Sequence, residues 1–284
     1  MTDLFPPFEP GDEPRRRRFK PVPMRVLLPN LVTLLSLCAG LTAMRLAMEG
    51  PDKLDRAVYA ILIAAVLDGL DGRLARLLKG TSRFGAELDS LADFVSFGVA
   101  PAIILYTFGL HDIRTIGWVV ALLFAMACAL RLARFNVMID DPHRLEWQKN
   151  FFVGIPAPAG ALAALLPVYL HLVGFERPPG FAVVEAGYLL LIALMMVSRI
   201  PTYAGKTLGT RVPREWVVPL LLAGALAIAV LVIHTFEVLA VITVIYLAAI
   251  PWGVSKFKSL ERSDRASRAE ARAAAVASAP AEEP

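Results

Sequence analysis

Eight apolar stretches, each about 20 residues long, alternate with polar connections along this chain of 284 residues. A helix needs roughly 20 apolar residues to cross a hydrocarbon layer about 30 Å thick, so each stretch is long enough to span a membrane. The apolar fraction of 57% also exceeds what one soluble core requires. We therefore predict an all-α, polytopic membrane helical bundle, with a six-helix core followed by two C-terminal spans. The predicted spans are residues 27–48, 57–78, 90–110, 115–138, 156–174, 182–200, 215–233 and 236–254.

The positive charges lie mostly on one side of these stretches. Of the 29 Lys and Arg residues, 24 lie before the first span, in the even-numbered connections and the span ends next to them, or in the C-terminal tail. Basic residues concentrate on the cytoplasmic side of membrane proteins, so we predict that both termini and the even-numbered connections face the cytoplasm. The basic N-terminal cluster is then a topology signal rather than a cleaved secretory signal, because its apolar run is too long.

The chain divides into three parts by composition. A basic segment, residues 1–23, precedes a membrane-embedded domain that we place at 24–255. The remaining residues, 256–284, are charged and rich in Ala, with nothing to bury, so we predict a cytoplasmic tail that is disordered or partly helical. The last two spans carry no charge between Trp216 and Ile233, and this pattern indicates scaffold.

Four aspartates interrupt the apolar sequence between residues 64 and 102. At about 100° per residue, Asp68 and Asp71 share one face of the second predicted span, and Asp89 and Asp93 lie one turn apart on the third. A short hairpin between the two spans brings these faces together. Carboxylates that converge in a poorly hydrated place repel one another unless cations bind between them. All-oxygen ligation favours Mg²⁺ or Mn²⁺, and four aspartates are enough to bridge two ions.

Two other interpretations of these aspartates were weighed. Acids near a membrane interface are often solvated helix ends, but four at these offsets, with small residues between them, argue against that reading. A metal-ion transporter predicts acids spread through the bilayer depth and a broken helix at the midplane, and it stays a distant alternative. Metals held by carboxylates beside guanidinium groups suit a substrate that carries a pyrophosphate. The basic neighbours here are Arg73, Arg76, Lys79 and Arg83.

The spacing of these residues resembles a known family motif. The pattern D-x2-D-G-x2-A-R-x8-G-x3-D-x3-D is similar to that of the CDP-alcohol phosphatidyltransferases, and the chain matches it without a departure. This resemblance implies transfer of a phosphatidyl group from a CDP-linked lipid to an alcohol, with release of CMP. It also implies that all four aspartates bind metal and that Asp93 is the base for the acceptor hydroxyl. The matching residues are Asp68, Asp71, Gly72, Ala75, Arg76, Gly85, Asp89 and Asp93.

Sequence segments that flank the motif resemble, within that family, the bacterial, membrane-embedded phosphatidylserine synthase branch. This branch implies CDP-diacylglycerol and L-serine as substrates, a homodimer in the bacterial cytoplasmic membrane, and no nucleic-acid partner. An acceptor that carries its own phosphate, glycerol phosphate or inositol phosphate, is the alternative. The strings are LPNLVTLLSLCAGLTA, LDSLADFVSFGVAPA, LRLARFNV, FVGIPAPAGA and MVSRIPTYAGK.

Two further groups of residues are candidates for substrate contacts. For the CDP-lipid we predict Asn30, Thr33, Gly72, Arg76, Ser82 and Gly85. Gly72 leaves room for a nucleotide beside the helix backbone. A helix-start cap is the alternative role for Asn30 and Thr33. For the serine carboxylate we favour Arg134 and Asn136, because an Arg fork fits a carboxylate, although such an arginine can also satisfy helix carbonyls. The other acceptor candidates are Arg131, Ser198, Arg199 and Lys206.

Overall fold

The computed structural model describes residues 24–139, 151–198, 201–203 and 213–277, and helices make up nearly all of them. One short antiparallel pair of strands, β1 (Phe151–Val153) and β2 (Pro201–Tyr203), joins the regions before α6 and after α8. The all-α class predicted from the sequence is therefore confirmed. The helices are α1 Met24–Glu49, α2 Leu54–Leu77, α3 Arg83–Asp93, α4 Ala100–Phe108, α5 Arg114–Ile139, α6 Ala157–Ala164, α7 Leu166–Leu172, α8 Phe181–Val197, α9 Val217–Ile233 and α10 Thr235–Ala277.

Four helical segments in the described part of the chain are long and apolar enough to cross a membrane, judged by length and composition alone. They are Met24–Glu49, Arg83–Phe108, Leu110–Val137 and Thr235–Ser255. Helices α8 and α9 are apolar but shorter, with 17 residues each. The described residues of each predicted stretch are mostly helical, and the number of spans stays a prediction.

The fifth predicted span is not one continuous helix. It divides at Leu165 into α6 and α7 because Pro167, in the first turn of α7, has no N–H to continue the hydrogen-bond ladder. The carbonyl of Ala163, which a residue at position 167 would otherwise bond, accepts from the hydroxyl of Tyr188 at 2.7 Å. Helix α8 thereby compensates for the break.

A π-helical segment, Phe94–Val99, connects α3 to α4 without interrupting the helix. It begins directly after Asp93, and Ser96, Phe97 and Gly98 within it are buried. Because π-helical turns often occur at functional sites, the position of this segment is consistent with a functional role for the aspartates that precede it.

Helices α1 and α2 pack closely through small side chains. The buried face of α1 has helical spacing of three and four residues, and Ser96 of the π-helical segment also contacts it. A Cβ at Gly40 would collide with Ser96, so this contact requires glycine. The buried residues of α1 are Pro29, Thr33, Ser36, Gly40, Ala43 and Ala47.

An ion-pair network ties the opposite end of the bundle together. Arg177 donates to the carboxylate of Glu185 in α8, to Asp112 and to the carbonyl of Gly109, each at 2.9 Å. The network lies where α4 ends, far along the continuous helix from Arg83. At the other terminus, α10 continues to Ala277, so the described part of the predicted tail is helical.

Candidate metal and nucleotide site

The four aspartates come together because a short connection, residues 78–82, turns α2 back into α3. The hydroxyl of Ser82 accepts a hydrogen bond from the backbone N–H of Gly85 at 3.0 Å, so Ser82 caps the first turn of α3. Gly80 packs on the backbone of Arg25 near the start of α1, where a Cβ would collide with the Arg25 carbonyl. This connection therefore fixes α2 and α3 against α1.

Three of the aspartates form a compact carboxylate cluster. One oxygen from each of Asp68, Asp71 and Asp89 lies within 4.8 Å of the others. Asp71 is only 4% exposed. The fourth, Asp93, lies at hydrogen-bonding distance from the side chain of Asp68, one turn beyond Asp89. Helices α2 and α3 therefore approach each other at these four residues, as the sequence predicts. Asp93 lies at the edge of the group.

Helix α1 supports the cluster through hydroxyl groups. Thr33 donates to Oδ2 of Asp71 at 2.7 Å, with the Pro29 carbonyl 3.1 Å from the same hydroxyl. One turn further along α1, Ser36 donates to the carbonyl of Ala64 in α2 at 2.9 Å. The hydroxyl of Ser96 donates to the carbonyl of Ser36 at 3.3 Å. These bonds connect α1 with both helices that carry the aspartates.

A cavity of about 500 Å³ opens beside the cluster, and every residue predicted to bind the CDP-lipid lines it. A Cβ at Gly72 would meet no atom within 4 Å, so the helix backbone there is open to a ligand. A Cβ at Gly85 would lie 2.9 Å from Oδ1 of Asn30, which shows how closely α1 and α3 approach. The lining is Pro29, Asn30, Thr33, Asp71, Gly72, Ala75, Arg76, Gly80, Thr81, Ser82, Gly85, Ala86 and Asp89.

The structure also decides between the two roles considered for Asn30 and Thr33. Both residues lie inside α1, which already includes Met24, so neither caps the start of this helix. The helix-cap alternative is therefore wrong for this pair. Thr33 contacts a predicted metal ligand directly, which the sequence did not reveal.

Arg131 of α5 is a buried candidate for the acceptor site. It is 9% exposed, and its Cζ lies 5.4 Å from the centroid of the Phe135 ring. Cys128, one turn before Arg131, is buried in the same region.

Three other acceptor candidates have hydrogen-bond partners within the described residues. Arg134 donates through Nη1 to the backbone carbonyl of Val197, at the end of α8. Asn136 donates to the hydroxyl of Ser90, the neighbour of Asp89, at 2.9 Å. The hydroxyl of Ser198 donates to a carbonyl within its own helix end. Arg199 and Lys206 lie outside the described residues.

Sequence reasoning missed two supporting residues. Ser36 and Ser96 look like ordinary small residues in apolar helices, and only their spacing from Thr33 and Asp93 hints at a role.

Comparisons with known proteins identify the family of this chain. The family described as CDP-alcohol phosphatidyltransferase matches residues 26–199, and the one described as CDP-alcohol phosphatidyltransferase 2 matches residues 215–251. A CDP-diacylglycerol–serine O-phosphatidyltransferase of Mycobacterium tuberculosis is 40% identical over 80% of this chain and 78% of its own length. The Helicobacter pylori protein of that name is 33% identical over 80% of this chain and 90% of its own. The chain belongs to the CDP-alcohol phosphatidyltransferase family.

Proposed function

We propose that this protein transfers the phosphatidyl group of CDP-diacylglycerol to the hydroxyl of L-serine, forming phosphatidylserine and CMP. The observation that carries the proposal is the carboxylate cluster of Asp68, Asp71 and Asp89, of which Asp71 and Asp89 line a cavity of about 500 Å³. Serine as the acceptor is supported by the names of relatives that are 33–40% identical over 80% of the chain.

The cluster fits divalent metal ions by its chemistry. Its donors are carboxylate oxygens within 4.8 Å of one another, and hard cations such as Mg²⁺ and Mn²⁺ prefer such ligands. We propose that Asp68, Asp71, Asp89 and Asp93 hold two such ions. When bound, these ions neutralise the charge that develops on the phosphate oxygens during transfer.

The CDP part of the lipid is proposed to occupy the cavity. Gly72 leaves its backbone accessible, and Arg76, which lines the same cavity, supplies a guanidinium for a phosphate. Asn30, Ser82 and Gly85 also line the cavity, and Ser82 caps α3. Thr33 contributes indirectly in this arrangement, because its hydroxyl holds Asp71.

Asp93 is proposed to accept the proton of the serine hydroxyl. It contacts Asp68 but lies outside the three-residue cluster, so one of its oxygens is available to an acceptor. As the serine oxygen bonds to phosphorus, its proton passes to Asp93 and the phosphorus–oxygen bond to CMP breaks. A positioned base of this kind typically contributes about 10²–10⁴-fold to the rate.

For the serine carboxylate we favour Arg131 over Arg134. The guanidinium of Arg134 is engaged with the carbonyl of Val197, whereas Arg131 is a buried cation three residues earlier on the same helix. Asn136 stays a candidate through its position beside Ser90, and Arg199 is retained from the sequence.

The membrane arrangement completes the proposal. We propose eight spans in a bacterial cytoplasmic membrane, within a domain of residues 24–255, and a homodimer whose termini and active sites face the cytoplasm. The long apolar helices and the concentration of basic residues on one side of them support this arrangement.

The test is CMP release by the purified protein with CDP-diacylglycerol and one acceptor at a time. Serine should stimulate release, whereas glycerol phosphate, inositol phosphate and no acceptor should not. Asp89→Asn should abolish release, and Asp52→Asn should not, because Asp52 is an exposed aspartate at the opposite end of α2. Stimulation by a phosphorylated alcohol instead of serine would assign the chain to another reaction of the same family.

A further inference from the structure

Ser36 of α1 holds the turn of α2 that carries Asp68. Its hydroxyl is buried and donates to the carbonyl of Ala64 at 2.9 Å. Within α2, that carbonyl is also the helical acceptor for the backbone N–H of Asp68, four residues later. The position of Ser36 in α1 therefore determines where the backbone of this candidate metal ligand lies.

Ser96 attaches the π-helical segment to the same place on α1. It is fully buried, three residues after Asp93, and its hydroxyl donates to the carbonyl of Ser36 at 3.3 Å. A Cβ at Gly40 would lie 2.8 Å from the Cα of Ser96, so the two helix backbones are in contact at this point. Both aspartate-bearing helices are thus bonded to α1 through Ser36.

The π-helical geometry makes this attachment relevant to Asp93, the last residue before the segment. A π-helical turn has hydrogen bonds between residues i and i+5, so the helical ladder changes register here. The direction of Asp93 therefore depends on where the segment is held. Helix α5 also packs against the segment, because a Cβ at Gly98 would lie 3.1 Å from the Cβ of Cys128. Contacts from α1 and α5 together fix the segment.

The bonds of these two serines differ from those of other hydroxyl groups in the same helices. Thr42, Ser90 and Thr107 each donate to a carbonyl four residues earlier in their own helix, which is a common arrangement for Ser and Thr. Ser36 and Ser96 donate between helices instead. Their acceptor carbonyls also have partners within α1 and α2, so the backbone does not need these hydroxyls to be satisfied.

We propose that Ser36 and Ser96 are positioning residues for the reaction, Ser36 for Asp68 as a metal ligand and Ser96 for Asp93 as the base. This inference rests on the proposed function, because it uses the roles proposed there for the two aspartates. Neither serine lines the cavity beside the carboxylate cluster, so each acts through its aspartate. Ser96 bonds to the backbone carbonyl of Ser36, and Ser36→Ala therefore keeps that bond. The two roles can be tested separately.

Ser36→Ala should weaken Mn²⁺ binding about 10–100-fold, because loss of a group that orients a metal ligand typically has an effect of this size. Its single-turnover rate at saturating Mn²⁺ should stay within about threefold of the original rate, because Asp93 keeps its support from Ser96. The measurements are direct Mn²⁺ binding to the purified protein and single-turnover release of CMP.

Ser96→Ala should show the opposite division. Its single-turnover rate at saturating Mn²⁺ should fall at least about tenfold, because a misplacement of about 1 Å can cost about 10²-fold in rate. Its Mn²⁺ binding should change by less than about threefold, because the cluster of Asp68, Asp71 and Asp89 keeps its contacts. The thermal stability of both variants should stay close to that of the original protein, since no backbone group loses its helical partner.

Thr107→Val is the matched control. Thr107 lies further along the same continuous helix as Ser96, and its hydroxyl donates to the carbonyls of Ile103 and Ile104 in that helix. The variant removes a helical hydroxyl that forms no bond to α1. It should therefore keep the original Mn²⁺ binding and the original single-turnover rate.

The outcomes separate this inference from the proposed function. If the original protein releases no CMP in response to serine, the proposed function fails, whereas the comparison of Mn²⁺ binding still tests Ser36. If the original protein does release CMP and neither variant shows its expected change, the inference fails alone. Equal losses of Mn²⁺ binding and rate in both variants, or a variant that does not fold, would make the two serines structural residues and would also overturn the inference.

Discussion

Thr33 provides a direct test of how α1 shapes the carboxylate cluster. Its hydroxyl donates to Oδ2 of Asp71 at 2.7 Å, and Asp71 is only 4% exposed. A hydrogen bond to a charged group contributes about 1.5–3 kcal/mol, and loss of a group that orients a metal ligand typically lowers metal affinity about 10–100-fold. Thr33→Val keeps the shape of the side chain and removes the donor. We expect the Mg²⁺ or Mn²⁺ concentration for half-maximal activity to rise about 10–100-fold, with a much smaller change in the maximal rate.

The assay is a titration of CMP release against Mn²⁺, accompanied by direct measurement of Mn²⁺ binding. Thr42→Val is the matched control, because Thr42 lies on the same helix, is exposed, and donates to the carbonyl of Cys38 in that helix. It should leave the metal dependence unchanged. If Thr33→Val instead raises the KM for CDP-diacylglycerol at an unchanged metal requirement, Thr33 contacts the nucleotide and does not act through Asp71.

Three further predictions test the chemistry. Chelation should abolish CMP release and added Mg²⁺ or Mn²⁺ should restore it, whereas full activity in excess chelator would contradict a metal-dependent reaction. Asp93→Asn should lower single-turnover rates at least about 10²-fold at saturating Mn²⁺ while binding of CDP-diacylglycerol survives, and rescue by excess metal would make Asp93 a ligand only. Arg131→Ala should raise the KM for serine at least about tenfold. Arg134→Ala should mainly lower thermal stability, because Arg134 donates to the carbonyl of Val197. Equal KM values for serine in the two variants would contradict these separate roles.

The sequence determined the fold class and the composition of the carboxylate cluster. Apolar length alone indicates membrane helices, because lipid requires every backbone group to be bonded within the segment. The helical repeat places Asp68 on the same face as Asp71, and Asp89 on the same face as Asp93. Because the connection between the two helices is short, the two pairs lie close together. These inferences succeed because they depend on local geometry.

The supporting contacts depend on packing between distant helices, and only the tertiary structure decided them. Arg131 and Arg134 lie three residues apart on α5, so the helical repeat gives both nearly the same direction. The end of α8 supplies the carbonyl that engages Arg134, whereas Arg131 is buried within the bundle. No pattern near position 131 or 134 encodes where α8 ends.

The bonds from α1 follow the same rule. Ser36 meets Ala64 because small residues let α1 and α2 approach closely. Periodicity determines which face of a helix carries a side chain, whereas the partner opposite that face is determined by side-chain shape and close packing across the whole bundle.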